Sequence, residues 1–227
     1  MNAFAIVPAA GSGSRLGRPE PKALVPLSRK SILLWTLEAL EAVPFQRTLV
    51  VAPPERIAEF ERLLAGRADV VAGGETRAAS VRAGFYATPC PPDAIVCIHD
   101  AARPFVTRAE VAAVVREAEK VGAAIAASPI VDTVKKVEAG RVLGTLDRTG
   151  LYAAATPQAF RADQLAGVLA GGREATDEAA LFELAGLPVA IVPVSRLAFK
   201  VTHPEDLELA EAIAGRRGAR IRDTSGP

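Results

Sequence analysis

Short runs that read as apolar on both faces, each followed by a longer amphipathic run, restrict the fold of this chain more than any other feature. Ala3–Val7, Thr48–Val51, Asp69–Val71, Ala94–Ile98 and Ala123–Ala127 have the length of strands. A strand buried on both faces needs a layer above it and a layer below it. The intervening segments supply those layers. Ser31 is placed to cap a helix whose apolar positions Leu33, Leu34, Leu37, Leu40 and Val43 recur at helical spacing. Glu55–Leu64, Thr76–Tyr86 and Arg108–Lys120 follow as further helices. Strand and helix in alternation predict a doubly wound α/β fold around a mainly parallel sheet. Ligands in such folds sit outside the carboxyl ends of the strands. The loop from Pro8 to about Pro26 and the segment after Ile98 are therefore where chemistry is expected.

The alternation breaks after Pro129. Val131–Val137 and Val142–Leu146 flank Glu138-Ala139-Gly140-Arg141, which reads as a hairpin turn. An isolated two-stranded hairpin is marginal in water, so this one is expected to pack on something, and a second subunit would serve. Beyond it, helices are expected from Ala162 and from Thr176, strands at Val189–Val194 and near Ala198–Val201, and a helix over Pro204–Ile213. The domain reading is one unit over 1–214, with 130–155 as a protruding β-arm and 215–227 as a basic, flexible tail.

Composition excludes several classes. The longest apolar stretches fall well short of the roughly 18 residues that a membrane-spanning helix requires. The first eight residues lack a basic n-region and run directly into a core strand, so a cleaved leader is not expected. A formal net charge of +1 offers no field for nucleic acid or an acidic membrane surface. The two cysteines, Cys90 and Cys97, form no CxxC pair and have no histidine cluster beside them. Neither a disulfide framework nor a zinc site is expected, and the setting implied is a reducing cytoplasm.

The first loop reads Pro8-Ala9-Ala10-Gly11-Ser12-Gly13-Ser14-Arg15, with Pro21-Lys22 closing it. Small residues directly after a strand allow backbone N–H groups to approach phosphate oxygens, and Arg15 and Lys22 add positive charge. A dinucleotide fingerprint is out of register here, because the third glycine comes one position late. A P-loop is excluded, since the chain has no Gly-Lys pair. Gly73-Gly74-Glu75-Thr76 suits close contact with a planar base, and Ser80 lies one turn into the next helix, either facing a ligand or facing solvent. Asp100, at the tip of the strand ending in Ile98, is placed either to hold Mg²⁺ or to cap a turn. His99 reads as structural, because no serine or cysteine nucleophile pattern accompanies it. Lys200, between Phe199 and Val201, reads as a cleft lysine or as an outward position on an edge strand.

Taken in order, these segments resemble the 2-C-methyl-D-erythritol 4-phosphate cytidylyltransferases of the non-mevalonate isoprenoid pathway. The resemblance runs from about Phe4 to Ala212. It rests on Pro8–Arg15 with Pro21-Lys22, Gly73-Gly74 with Arg77 and Ser80-Val81, and His99–Pro104. Asp132-Thr133, Asp147-Arg148, Thr156-Pro157-Gln158, Thr176-Asp177-Glu178-Ala179 and Lys200-Val201-Thr202 complete it. It implies a Rossmann-like nucleotidyltransferase fold with a β-hairpin arm, and a homodimer formed through that arm. It implies that Gly11 and Gly13 wrap the triphosphate of CTP, with Arg15 and Lys22 neutralising it. Ala9, Ala10, Gly74 and Glu75, with the Ser80 hydroxyl, are implied to read cytosine. Asp100 would lie by Mg²⁺, or another divalent cation, and the ribose, with Arg103 close by. The polyol phosphate would be held by Thr176 and Lys200, with Thr133 and Arg148 from the partner subunit. Two departures stand out. Leu197 and Ala198 occupy positions where family members often carry an acidic residue and an asparagine, and Glu75 replaces a frequent aspartate.

The implied reaction is in-line attack of the substrate phosphate on the α-phosphorus of CTP, with pyrophosphate leaving. A phosphomonoester has a second pKa near about 6 and is mostly dianionic at neutral pH, so no general base is needed. Arg15, Lys22 and Lys200 are the catalytic candidates. The rival readings are a cytidylyltransferase for another polyol phosphate such as ribitol 5-phosphate, and a nucleotide-binding regulator without catalysis.

Overall fold

The computed structural model describes residues 2–11, 13–41, 43–173 and 175–223, with side chains as far as Arg217. The strands and helices, in chain order, are β1 (Ala3–Pro8), β2 (Pro26–Leu27), β3 (Lys30–Ser31), α1 (Ile32–Leu40), β4 (Arg47–Ala52), α2 (Ile57–Leu64), β5 (Asp69–Ala72), α3 (Arg77–Tyr86), β6 (Ile95–Ile98), α4 (Arg108–Val121), β7 (Ala123–Pro129), β8 (Lys135–Glu138), β9 (Arg141–Thr145), β10 (Tyr152–Arg161), α5 (Ala162–Ala170), α6 (Glu178–Leu184), β11 (Ala190–Pro193) and α7 (Pro204–Asp223).

Seven strands form one sheet in the order β11-β7-β10-β6-β1-β4-β5. All neighbours pair in parallel except β10, which runs antiparallel to both β6 and β7. Alternation along β1 divides the interior. Ala3, Ala5 and Val7 pack with Leu33 and Leu37 of α1, Phe60 of α2 and Val114 of α4. Phe4 and Ile6 pack on the other face with Val81 and Phe85 of α3, Leu165 of α5 and Phe182 of α6. This is the doubly wound arrangement expected from strands apolar on both sides. A third cluster lies under α7, where Ala210 and Ala214 meet Leu16, Leu27, Trp35 and Phe105.

Caps account for several boundaries. Ser31, Thr76 and Asp177 each accept an N–H of the following first turn, and Thr107 with Glu110 forms a reciprocal capping box on α4. The helix expected from Thr176 thus begins at Glu178, with Asp177 as its cap.

Two readings need correction. Strand β10, central in the sheet, is absent from the sequence reading. Pro157 within it argues against an interior strand, and the chain accommodates it at a register shift between Ala154 and Gln158. No strand forms over Ala198–Val201. A 3-10 turn occupies Arg196–Ala198, capped by the Ser195 hydroxyl, and Val201 makes a lone backbone bond to Ala102 O at 2.9 Å. Of the tail from Gly215, the residues to Asp223 continue α7 as helix, and 224–227 lie outside the described ones. Ala214 is fully buried, and Arg217 donates to Phe105 O at 3.1 Å while its guanidinium covers the Phe105 ring.

The hairpin is present. Ala139 and Gly140, both at positive φ (45° and 75°), make the two-residue turn between β8 and β9 that matches strand twist. All residues from 131 to 154 except Val134 are exposed.

Candidate active site

The site follows from the sheet order. β1 and β6 are neighbours, yet the chain winds outward from β1 to β4 and β5 on one side, and to β6, β10 and β7 on the other. The reversal leaves a crevice at the carboxyl ends of β1 and β6, flanked by the loops after both. A cleft of about 270 Å³ lies there.

Its floor and one wall come from the loop after β1. Gly13 sits in the left-handed region (φ 69°), and a Cβ there would stand 2.7 Å from Lys22 Cβ, so glycine alone permits the loop to fold back this closely. Leu16 and Ala23, both buried, anchor its two 3-10 turns in the interior. The anchors leave Arg15 exposed and Lys22 half-buried at the cleft, where Ala9, Ala10 and Gly11 also line it. Burial, then the charges of Lys200 and Arg15, lower the Lys22 pKa to about 8. Opposite, Gly74 N–H donates to Ser80 Oγ at 3.2 Å, and Gly74, Glu75, Thr76 and Ser80 all face the cleft.

Asp100 is the electrostatic centre. The residue is 6 % exposed; its Oδ1 accepts from Arg77 Nε at 2.9 Å and its Oδ2 from Lys200 Nζ at 2.8 Å. Burial works against its charge, but Arg77 and Lys200 outweigh it and hold the carboxyl well below the usual carboxylate range. Lys200, contributed by the loop before α7, is therefore a cleft residue and not an outward one.

His99 is fully buried and has no path to a substrate. Its Nε2 lies 3.2 Å from Arg103 O, and since a carbonyl only accepts, that nitrogen carries the proton. Nδ1 then accepts from Thr156 Oγ1 at 3.0 Å, and the same oxygen accepts from Asp100 N–H at 3.0 Å. Burial lowers the His99 pKa to about 4, which keeps the ring neutral. The histidine holds the backbone beneath Asp100 in place.

Four expected site residues do not line this cleft within the single chain. Arg103 does not line the nucleotide cleft: it turns beneath Asp100, 3.8 Å from that carboxylate, and donates to Ala198 O at 2.8 Å. It faces a second cavity of about 350 Å³, walled by Ala153–Ala155, Arg196 and Lys200. Thr176 is exposed, one residue before the cap of α6 and away from the cleft lining. Thr133 and Arg148 are exposed on the arm, where Arg148 donates to Val131 O. Sequence reasoning assigned no role to Arg77 or Glu178. Both lay within motifs, but nothing local announces a pair separated by about a hundred residues in the chain.

Among the described residues no group of three or more His, Cys, Asp or Glu side chains could hold a metal. A Mg²⁺ ion carried by nucleotide phosphates needs only one or two carboxylates, and ionised Asp100 at the cleft satisfies that requirement.

A family model for 2-C-methyl-D-erythritol 4-phosphate cytidylyltransferase matches residues 3–216. A relative of that name from Desulforamulus reducens is 41% identical over 228 residues, covering 95% of this chain and 97% of its own. Another from Frankia casuarinae is 45% identical over 217 residues, covering 93% of this chain and 81% of its own. The crystal structure of the enzyme from Thermus thermophilus superposes with a TM-score of 0.79 at 35% identity, covering 95% of this chain and all of that one.

Proposed function

The chain belongs to the 2-C-methyl-D-erythritol 4-phosphate cytidylyltransferase family, and from that premise we propose how its cleft carries out the reaction. The activity is transfer of CMP from CTP to 2-C-methyl-D-erythritol 4-phosphate, giving 4-diphosphocytidyl-2-C-methyl-D-erythritol and pyrophosphate.

The observation that carries the mechanism is a cleft rich in cations that, among the described residues, contains no histidine to act as a general base. Arg15, Lys22 and Lys200 converge beside Asp100, while His99 is buried with both ring nitrogens engaged and the exposed His203 is not part of the cleft lining. The acceptor phosphate, already dianionic, attacks the α-phosphorus in line. Catalysis then reduces to bringing anions together and stabilising charge on the α-phosphate and leaving group. In this reading the backbone of Ala9–Gly13 cradles the triphosphate, and Arg15 and Lys22 neutralise it. Gly74, Glu75 and Ser80 take the cytosine. Asp100 would hold Mg²⁺, which would supply positive charge to the phosphates. Lys200 borders both cavities and orients the acceptor, whose phosphate fits the side walled by Arg103 and Arg196. Thr176, outside the lining of both cavities, is given to the acceptor by the family resemblance alone.

The arm supports a homodimer. Val137, Val142, Leu143 and Leu146 are all at least 46% exposed, an apolar surface that a second subunit would cover. Thr133 and Arg148 would then act in the partner's site. No helix among the described residues is long and apolar enough to cross a membrane, which fits a cytoplasmic location.

Pyrophosphate release from CTP and Mg²⁺ tests the reading, with 2-C-methylerythritol 4-phosphate and ribitol 5-phosphate offered separately. Release with the first alone is expected. Release with the second alone would move the enzyme to another acceptor, and release with neither would leave a nucleotide-binding protein without catalysis.

A further inference from the structure

Arg77 stands between two buried carboxylates from distant parts of the chain. Its Nε donates to Asp100 Oδ1 at 2.9 Å, and its Nη1 donates to both oxygens of Glu178, at 2.9 and 3.0 Å. Asp100 gives its other oxygen to Lys200 at 2.8 Å. Lys200, Asp100, Arg77 and Glu178 thus form one row of alternating charge. It links the loop before α7, the end of β6 and the first turns of α3 and α6. Glu178 is 2 % exposed and does not line the cleft, so it touches no substrate there. Arg77 Nη2 is buried without a partner, which leaves the two carboxylates as the only groups among the described residues that hold the guanidinium.

Stability does not explain this arrangement. Burial pushes the Glu178 carboxyl up, against the pull of Arg77. A buried ion pair of this kind commonly adds little net stability over apolar packing. What it does supply is geometry. The planar guanidinium presents donors in a fixed fork, so engaging Glu178 at one end sets where the other end meets Asp100.

We propose that Arg77, anchored by Glu178, is a positioning residue for cytidylyl transfer: it pins one oxygen of Asp100, so that the other oxygen and Lys200 stand at the boundary between the nucleotide cleft and the acceptor cavity. The proposal rests on the cytidylyltransferase reading. It makes a prediction that general damage does not. Neutralising Glu178 removes a negative charge near the cleft, so attraction for CTP does not fall, while Asp100 and Lys200 lose their fixed position.

Glu178→Gln is expected to lower kcat between about 10- and 100-fold and to raise KM for the polyol phosphate, with CTP affinity by calorimetry unchanged or tighter. Arg77→Lys, which keeps the charge but cannot bridge both carboxylates, should lower kcat to a similar degree. Combining the two should cost no more than Arg77→Lys alone, and Glu178→Asp should retain part of the activity. Unchanged kinetics in a folded Glu178→Gln protein would overturn the proposal. So would additive losses in the double variant, or CTP and acceptor terms that weaken together in step with Tm. A failure of the cytidylyltransferase reading shows separately, as no pyrophosphate release from the unaltered protein. In that event the Arg77 Nε–H NMR resonance still decides the positioning: a shift in Glu178→Gln supports it, and no shift refutes it.

Discussion

At the scale of single residues, the cleft concentrates positive charge that its own burial opposes. Lys22 shows the conflict most clearly, with its pKa lowered to about 8 by burial and by Lys200 and Arg15. A triphosphate in the cleft would reverse the balance. CTP affinity is therefore expected to fall as pH rises through about 8, and binding near that pH should take up a proton. Calorimetry in buffers of different ionisation enthalpy reads both effects. The same shift affects stability with a definite sign. The folded pKa lies below the unfolded one, so between about 8 and 10.5 the unfolded chain binds more protons, and this group makes stability rise with pH across that window. For the chemistry, Lys22→Ala should lower kcat by about 10²–10³ while circular dichroism stays unchanged, as expected for loss of a preorganised charge. Near-normal turnover would remove Lys22 from the mechanism. Lys22 and Arg15 were legible from the loop motif. The nearness of Arg103 to Asp100 was legible but its turn toward the second cavity was not, because a side chain's direction a few residues past a strand depends on what lies beneath it.

At the scale of elements, close approach decides the fit of α3 on the sheet. A Cβ at Gly84 would lie 2.7 Å from Ile6 Cγ2 and 2.8 Å from Val51 Cγ2. Gly84→Val is expected to destabilise the fold by about 1–3 kcal/mol, read as a lower urea midpoint. An undiminished midpoint would mean that α3 can move away without loss. The arm raises the opposite question, since β8 and β9 bond only to each other in the described chain. If the arm completes a neighbour's site, Arg148→Ala dimers mixed with Lys22→Ala dimers should regain activity on subunit exchange. Proven exchange without recovery would assign the arm to its own chain. Most elements were readable from their periods and caps. Strand β10 was not, because a proline in mid-strand signals an edge or a break, and only pairing with β6 and β7 on either side decides otherwise.

At the scale of the whole molecule, the near-neutral net charge of +1 conceals a cation-rich cleft assembled from three distant segments. Chelation of Mg²⁺ is expected to stop pyrophosphate release while leaving the ligand-free Tm in place, because Arg77 and Lys200 already neutralise Asp100. A large fall in Tm on chelation would instead make the ion structural. The sequence by itself determined the layered α/β class, the Ser31 and Thr76 caps and the glycine-rich loop that lines the cleft, because each depends on residues near one another along the chain. The tertiary structure alone decided that β10 lies at the centre of the sheet, that Arg103 faces a second cavity, and that Arg77 joins Asp100 to Glu178. Those last contacts span from 23 to about a hundred residues of chain, and no local pattern encodes which partner the fold will bring within hydrogen-bonding distance.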